Sequence, residues 1–189
     1  MENRGISISG RKKESGGIDF YQTPTWVTKA LLKRINLKGT VLEPCSGAGA
    51  IARLIENCSA SDIRVDDMVY GLKGIDIHSY KANSFDNIIT NPPFASAQKV
   101  IEKSLTIAND KVYMLLKLQF LESISRYEFF KNTPLKRVMV FCKRITMYPD
   151  GEPEPANSGT IAYAWYEWEI GFTGNPTIEW INDTFKRGA

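Results

Sequence analysis

The chain predicts an α/β protein built on a single doubly wound, mostly parallel sheet, and three observations carry that prediction. Short apolar runs alternate with segments of helical spacing through most of the 189 residues, the order that parallel strands joined by right-handed crossovers require. Val112 to Leu118 is almost continuously apolar, as a strand buried on both faces must be. Two turn motifs, around Gly47 and at Asn91 to Phe94, each follow an apolar strand-like run. Ligands of such sheets bind outside the carboxyl ends of the strands.

The elements follow in order. Residues 1–17 are rich in Gly, Ser and charge and are expected to form a disordered tail, which leaves residues 18–189 as one domain. After Pro24, the stretch Thr25 to Ile35 places Trp26, Ala30, Leu31 and Ile35 near one helical face. Val41 to Glu43 reads as a short buried strand, followed by a Gly-rich turn that opens a helix over Ala50 to Glu56. The next stretch, Asn57 to Ser61, lacks the branched apolar residues expected of a buried second strand. Phe85 to Thr90 is a strand, Ser96 to Ala108 an amphipathic helix, Ile124 to Phe130 a further helix and Val138 to Cys142 a further strand.

Ile145 to Thr160 carries Pro149, Gly151, Pro153, Pro155 and Gly159 and is expected to be a long loop or flap whose length points to function. Lys143-Arg144 enters that loop and is a candidate phosphate contact, whereas Glu152 and Glu154 would repel phosphate. Ile161 to Gly171 has strand propensity with aromatics on both faces. Trp165 and Trp168 are assigned to packing rather than base stacking, because a final strand must cover its neighbours.

The chemistry is concentrated in the two turns. In Asn91-Pro92-Pro93-Phe94, the Asn91 side-chain oxygen and the Pro92 carbonyl can accept the two N–H groups of a planar amine. Such bonds draw the nitrogen lone pair out of conjugation and make it nucleophilic. Successive prolines fix φ and remove backbone donors, so the turn is preorganised and purely accepting, and Phe94 offers a face for stacking. Asn and Pro are also ordinary turn residues, so a plain strand-ending turn is the alternative. In Glu43-Pro44-Cys45-Ser46-Gly47-Ala48-Gly49-Ala50 the glycines permit positive φ and close approach of a ligand. The full G-x-G-x-x-G spacing is absent, Ala52 standing at the third position, so an uncharged or zwitterionic nucleoside suits the turn better than a pyrophosphate.

Composition narrows the class. With 43% hydrophobic residues the chain can bury a core, no run of about 18 apolar residues suggests a membrane span, and the polar N-terminus does not read as a signal peptide. A cytoplasmic protein without membrane contact is expected. Cys45, Cys58 and Cys142 have neither an even count nor metal-ligand spacing, so no disulfide or metal is expected, and Cys45 reads as a small packing residue. His78, the single histidine, excludes paired-histidine sites and reads as a loop or surface residue. The net charge of +3 is compatible with nucleic acid.

On the segments Asp19 to Pro24, Glu43 to Gly49 and Asn91 to Phe94, taken in order, the chain resembles class I S-adenosylmethionine (SAM)-dependent methyltransferases of the amino-methylating group. It is most similar to short phage or prophage adenine-specific DNA methyltransferases. The resemblance runs from about Asp19 to Trp180 and implies a seven-stranded, Rossmann-like sheet with an antiparallel C-terminal strand. It implies SAM as cofactor, held by Tyr21, Gln22, Thr23, Pro24, Glu43, Pro44, Cys45, Gly47 and Gly49, with Asn91 beside it. Asp62 is the matching candidate for the ribose hydroxyls, with Asp66 and Asp67 as competitors. Ile63 would pack on the adenine ring, and Asp76, followed by Ile77, would receive the adenine amine. Asn91, Pro92, Pro93 and Phe94 would be catalytic.

The substrate implied is adenine in DNA. Adenine in RNA, a protein glutamine, or a non-catalytic SAM-binding partner subunit are the alternatives; the glutamine-methylating group more often has Tyr where Phe94 stands. The chain shows no separate target-recognition segment, so it is expected to read little sequence, to use the 145–160 loop, or to rely on a partner subunit.

Overall fold

The computed structural model describes residues 21–149 and 159–183. The expected N-terminal tail and the greater part of the 145–160 loop, with Glu152 and Glu154, lie outside the described residues. Among the described residues ten strands and three α-helices follow one another as β1 (Tyr21–Gln22), α1 (Thr25–Leu32), β2 (Val41–Glu43), β3 (Cys58–Asp62), β4 (Leu72–Lys73), β5 (Phe85–Thr90), α2 (Ala97–Ile107), β6 (Ala108–Lys117), α3 (Ile124–Lys131), β7 (Leu135–Phe141), β8 (Tyr148–Pro149), β9 (Tyr163–Glu169) and β10 (Thr177–Ile181). Eight of the strands form one sheet in the order β10-β7-β9-β6-β5-β2-β3-β4, one more than expected. β1 and β8 make a separate two-stranded ladder.

The sheet is parallel except for β9, which runs antiparallel to both β6 and β7. The last strand, β10, pairs parallel with β7. Side chains alternate between the two faces as the pleat dictates. Ile88, Val112, Met114 and Leu116 pack on one face with Ala97, Val100 and Ile101 of α2. Ile89, Tyr113 and Leu115 pack on the other with Val27, Ala30 and Leu31 of α1. Burial on both faces explains the almost continuous apolar run that marked β6.

Trp165 and Trp168 are fully buried in β9, one on each side. Their indole N–H groups donate to the Val27 carbonyl at 3.0 Å and to Thr133 Oγ1 at 3.1 Å, so neither ring is available to a ligand. Between them Glu167 is also buried, and Arg137 of β7 pairs with it while reaching Glu179 of β10 at 3.1 Å.

Two local expectations are corrected. The helix expected over Ala50 to Glu56 is a single 3₁₀ turn, Ala52–Leu54. Ile55 already takes an extended conformation and Asn57 a left-handed one, at φ 56°, because the chain must turn at once into β3. β3 itself forms over Cys58–Asp62 despite its poor propensity, since β2 and β4 pair with it from either side. Helix α1 stops at Leu32, short of Ile35. No helix among the described residues is long and apolar enough to cross a membrane.

Candidate cofactor and active site

Parallel pairing sets the ends of β3, β2 and β5 side by side, with Glu43 opposite Ala60 and Leu42 opposite both Ser59 and Ile88. A cavity lies beyond these carboxyl ends. Of the residues singled out in the sequence, it is lined by Tyr21, Gln22, Thr23, Glu43, Pro44, Cys45, Asp62, Ile63, Asp76, Ile77, Asn91, Pro92, Pro93 and Phe94. Pro24, Gly47 and Gly49 stand outside its lining.

The glycines act one layer back. Gly47 and Gly49 have φ of 51° and 82°, and a Cβ on Gly49 would lie 2.6 Å from the Tyr70 ring. Tyr70 N donates to the Gly47 carbonyl at 2.8 Å and Ser46 Oγ to the Tyr70 carbonyl at 2.7 Å, so the 63–74 segment locks the turn.

Asp62, at the end of β3, takes the Gly47 N–H at 2.8 Å on one carboxylate oxygen and the Arg64 N–H at 2.9 Å on the other. Arg64 Nε also lies 3.4 Å from that second oxygen, so the oxygen bonded to Gly47 is the one that keeps a lone pair for a ligand. Asp66 and Asp67 are exposed and do not line the cavity; Asp67 pairs with Lys73 at 2.9 Å. Of the three, Asp62 is therefore the one placed at the cavity. Glu43 is buried and accepts the Ala52 N–H at 2.7 Å, and burial lifts its carboxyl well above the usual glutamate range. Burial also pushes the Cys45 thiol up to about 12, which makes it a poor nucleophile. Asp76 caps a short 3₁₀ turn by accepting the His78 N–H at 2.9 Å.

Asn91 Nδ2 donates to Thr23 Oγ1 at 3.1 Å, and its Oδ1 is buried with no hydrogen-bond partner. An unpartnered buried acceptor is unfavourable unless a ligand supplies the donor. Phe94 packs against Tyr163 at a ring separation of 5.9 Å and an angle of 36°, and Lys117 Nζ lies 4.3 Å from its centroid.

The sequence reading missed Ser46, Ala50, Arg64, Ile75, His78, Ser96, Lys99 and Val100, which also line the cavity. Ile75 and His78 flank the chosen Asp76, and Ser96, Lys99 and Val100 belong to the turn and helix directly after Phe94. Their closeness to those motifs was the available signal. His78 is exposed, as expected, yet faces this site. Among the described residues no group of three or more His, Cys, Asp or Glu could hold a metal ion.

No family model matches the chain, and no curated protein matches it. Solved structures do. A protein of Pyrococcus horikoshii assigned as an RNA methyltransferase is 17% identical, with a TM-score of 0.56 over 80% of this chain and 87% of that one. The modification subunit assigned to a type I restriction enzyme of Vibrio vulnificus is 12% identical, with a TM-score of 0.57 over 93% of this chain and 49% of that one. An Agrobacterium tumefaciens protein assigned as an O-methyltransferase is 12% identical, with a TM-score of 0.54 over 83% and 84%. The chain has the fold of the class I methyltransferases.

Proposed function

We propose that this chain is a SAM-dependent methyltransferase that modifies the 6-amino group of adenine in DNA. The observation that carries the reading is the buried, unpartnered Oδ1 of Asn91, held in one orientation by Thr23. A planar amine presented there satisfies Oδ1 with one N–H and the Pro92 carbonyl with the other, which localises the nitrogen lone pair.

The cavity suits a cationic nucleoside. Asp62 and Asp76 supply negative charge, and Ile63 and Ile77 supply apolar surface. In this reading Asp62 takes the ribose hydroxyls, Asp76 the adenine amine of the cofactor, and Tyr21, Gln22 and Thr23 close over the methionine end. Bound SAM supplies an electrophilic methyl group. The chain contributes positioning and lone-pair localisation, which require no covalent intermediate.

The fold likeness to a restriction modification subunit supports a DNA substrate and a partner that selects the target. The likeness to a protein assigned to RNA methylation makes RNA adenine the second reading. The test is incorporation of labelled methyl from SAM into DNA, RNA and protein, with Asn91→Ala alongside. The expected result is label in DNA adenine, reduced roughly 10²–10³-fold in Asn91→Ala with SAM affinity retained. Label confined to RNA or protein would reassign the substrate, and an Asn91→Ala variant as active as wild type would remove the proposed mechanism.

A further inference from the structure

A second, open groove lies at the carboxyl end of β6, lined by Leu118, Leu121, Arg144, Thr160 and Ile161 among others. It adjoins the active-site turn through two residues. Lys117 and Tyr163 are paired across β6 and β9, and both side chains meet the Phe94 ring. One residue further along each strand, the Leu118 N–H donates to the Ala162 carbonyl at 2.8 Å, and there the groove begins. With a rise of about 3.3 Å per residue, groove and Phe94 are immediate neighbours.

Among the described residues neither Lys117 nor Arg144 makes a salt bridge, and the contact shown for Lys117 is the face of Phe94. Lys143, next to Arg144, sits 5.3 Å from the Trp26 ring centroid. A glutamate, Glu122, also lines the groove, so the field is not uniformly basic. Lys117 stands on the side that adjoins Phe94, and Arg144 lines the groove itself.

Resting on the reading of Asn91 above, we propose that this groove takes the sugar–phosphate segment flanking the target base, with Arg144 and Lys117 as its phosphate contacts. Lys117 covers Phe94 when no base is present. An incoming base takes the ring face and Nζ moves to the adjacent phosphate, so Lys117 is a positioning residue and performs no proton transfer. The apolar lining formed by Leu118, Leu121 and Ile161 accommodates the neighbouring sugar or base. A polynucleotide fits this arrangement better than a protein side chain, because a lone glutamine presents no anionic group next to its amide.

The experiment measures steady-state methylation of a single-stranded oligonucleotide with one adenine, together with the salt dependence of oligonucleotide binding and calorimetric SAM affinity. Arg144→Gln and Lys117→Met should each raise KM for the oligonucleotide roughly tenfold or more, the loss expected of one charge-assisted bond. Each should also reduce the slope of log K against log salt by roughly 0.7. SAM affinity should be unchanged, kcat should change far less than KM, and Lys117→Arg should restore KM.

Variants that keep the wild-type KM and salt slope, while the wild-type chain methylates adenine, would overturn the groove assignment and leave the Asn91 reading intact. A wild-type chain that modifies protein and no polynucleotide would overturn both.

Discussion

The Asn91 amide donates to the Thr23 hydroxyl across 3.1 Å, tying the turn after β5 to the segment between β1 and α1. The bond decides which way the amide faces. With Nδ2 committed to Thr23, Oδ1 is the atom left for a ligand, and it is buried and unpartnered. A residue 68 positions away in the sequence thus sets the polarity of the site.

Thr23→Val should leave the fold intact, since the two side chains are nearly isosteric, but remove the acceptor for Nδ2. The amide then loses its fixed orientation. Methyl transfer should fall roughly 10–100-fold, an effect of about 1.4–2.7 kcal/mol on the barrier, while Thr23→Ser should retain most activity. SAM affinity measured in parallel separates this role from a direct cofactor contact, because loss of binding equal to the loss of kcat would place Thr23 on the cofactor instead.

Glu43 makes stability depend on pH in a definite direction. Its buried carboxyl holds a proton more tightly in the native state than in the unfolded chain, where the ordinary value is 4.5. Stability from this group is therefore fullest below that value and declines as pH rises from it toward the raised native value. Glu43→Gln keeps an acceptor for the Ala52 N–H and removes the titration. The Tm of the variant should gain on wild type steadily as pH is raised above 4.5 in melts without ligand. A Tm difference that stays constant across that range would show that Glu43 ionises normally.

Gly49 and Gly171 have almost the same positive φ, 82° and 83°, but differ in surroundings. A Cβ on Gly49 meets the Tyr70 ring at 2.6 Å, whereas a Cβ on Gly171 meets nothing within 4 Å. Gly171→Ala should lose roughly 1–2 kcal/mol from the left-handed conformation alone. Gly49→Ala should lose roughly 1–3 kcal/mol more through overpacking. Denaturant unfolding of both variants checks the difference, and equal losses would mean that Tyr70 moves aside freely.

Much of the architecture was legible because local pattern and final environment agree. The apolar run at β6 and the strand before Asn91 are buried on both faces, and both turn motifs sit at strand ends where parallel topology places ligands. β3 was the hard case. Its small and polar residues argue against a strand, and only pairing with β2 and β4 makes one. The short Gly-rich connection misled in the opposite sense, since its residues suit a helix but the chain has to re-enter the sheet at Cys58.

The sequence by itself determined the class of fold, the two turns and most of the residues around the cavity, because periodicity and turn chemistry are local properties of the chain. Tertiary structure alone decided that Asp62 rather than Asp66 or Asp67 lines the cavity, that Thr23 orients Asn91, that Tyr70 seals the glycine turn and that Lys117 covers Phe94. Each of these depends on strand order and register, which bring together residues that no local pattern connects.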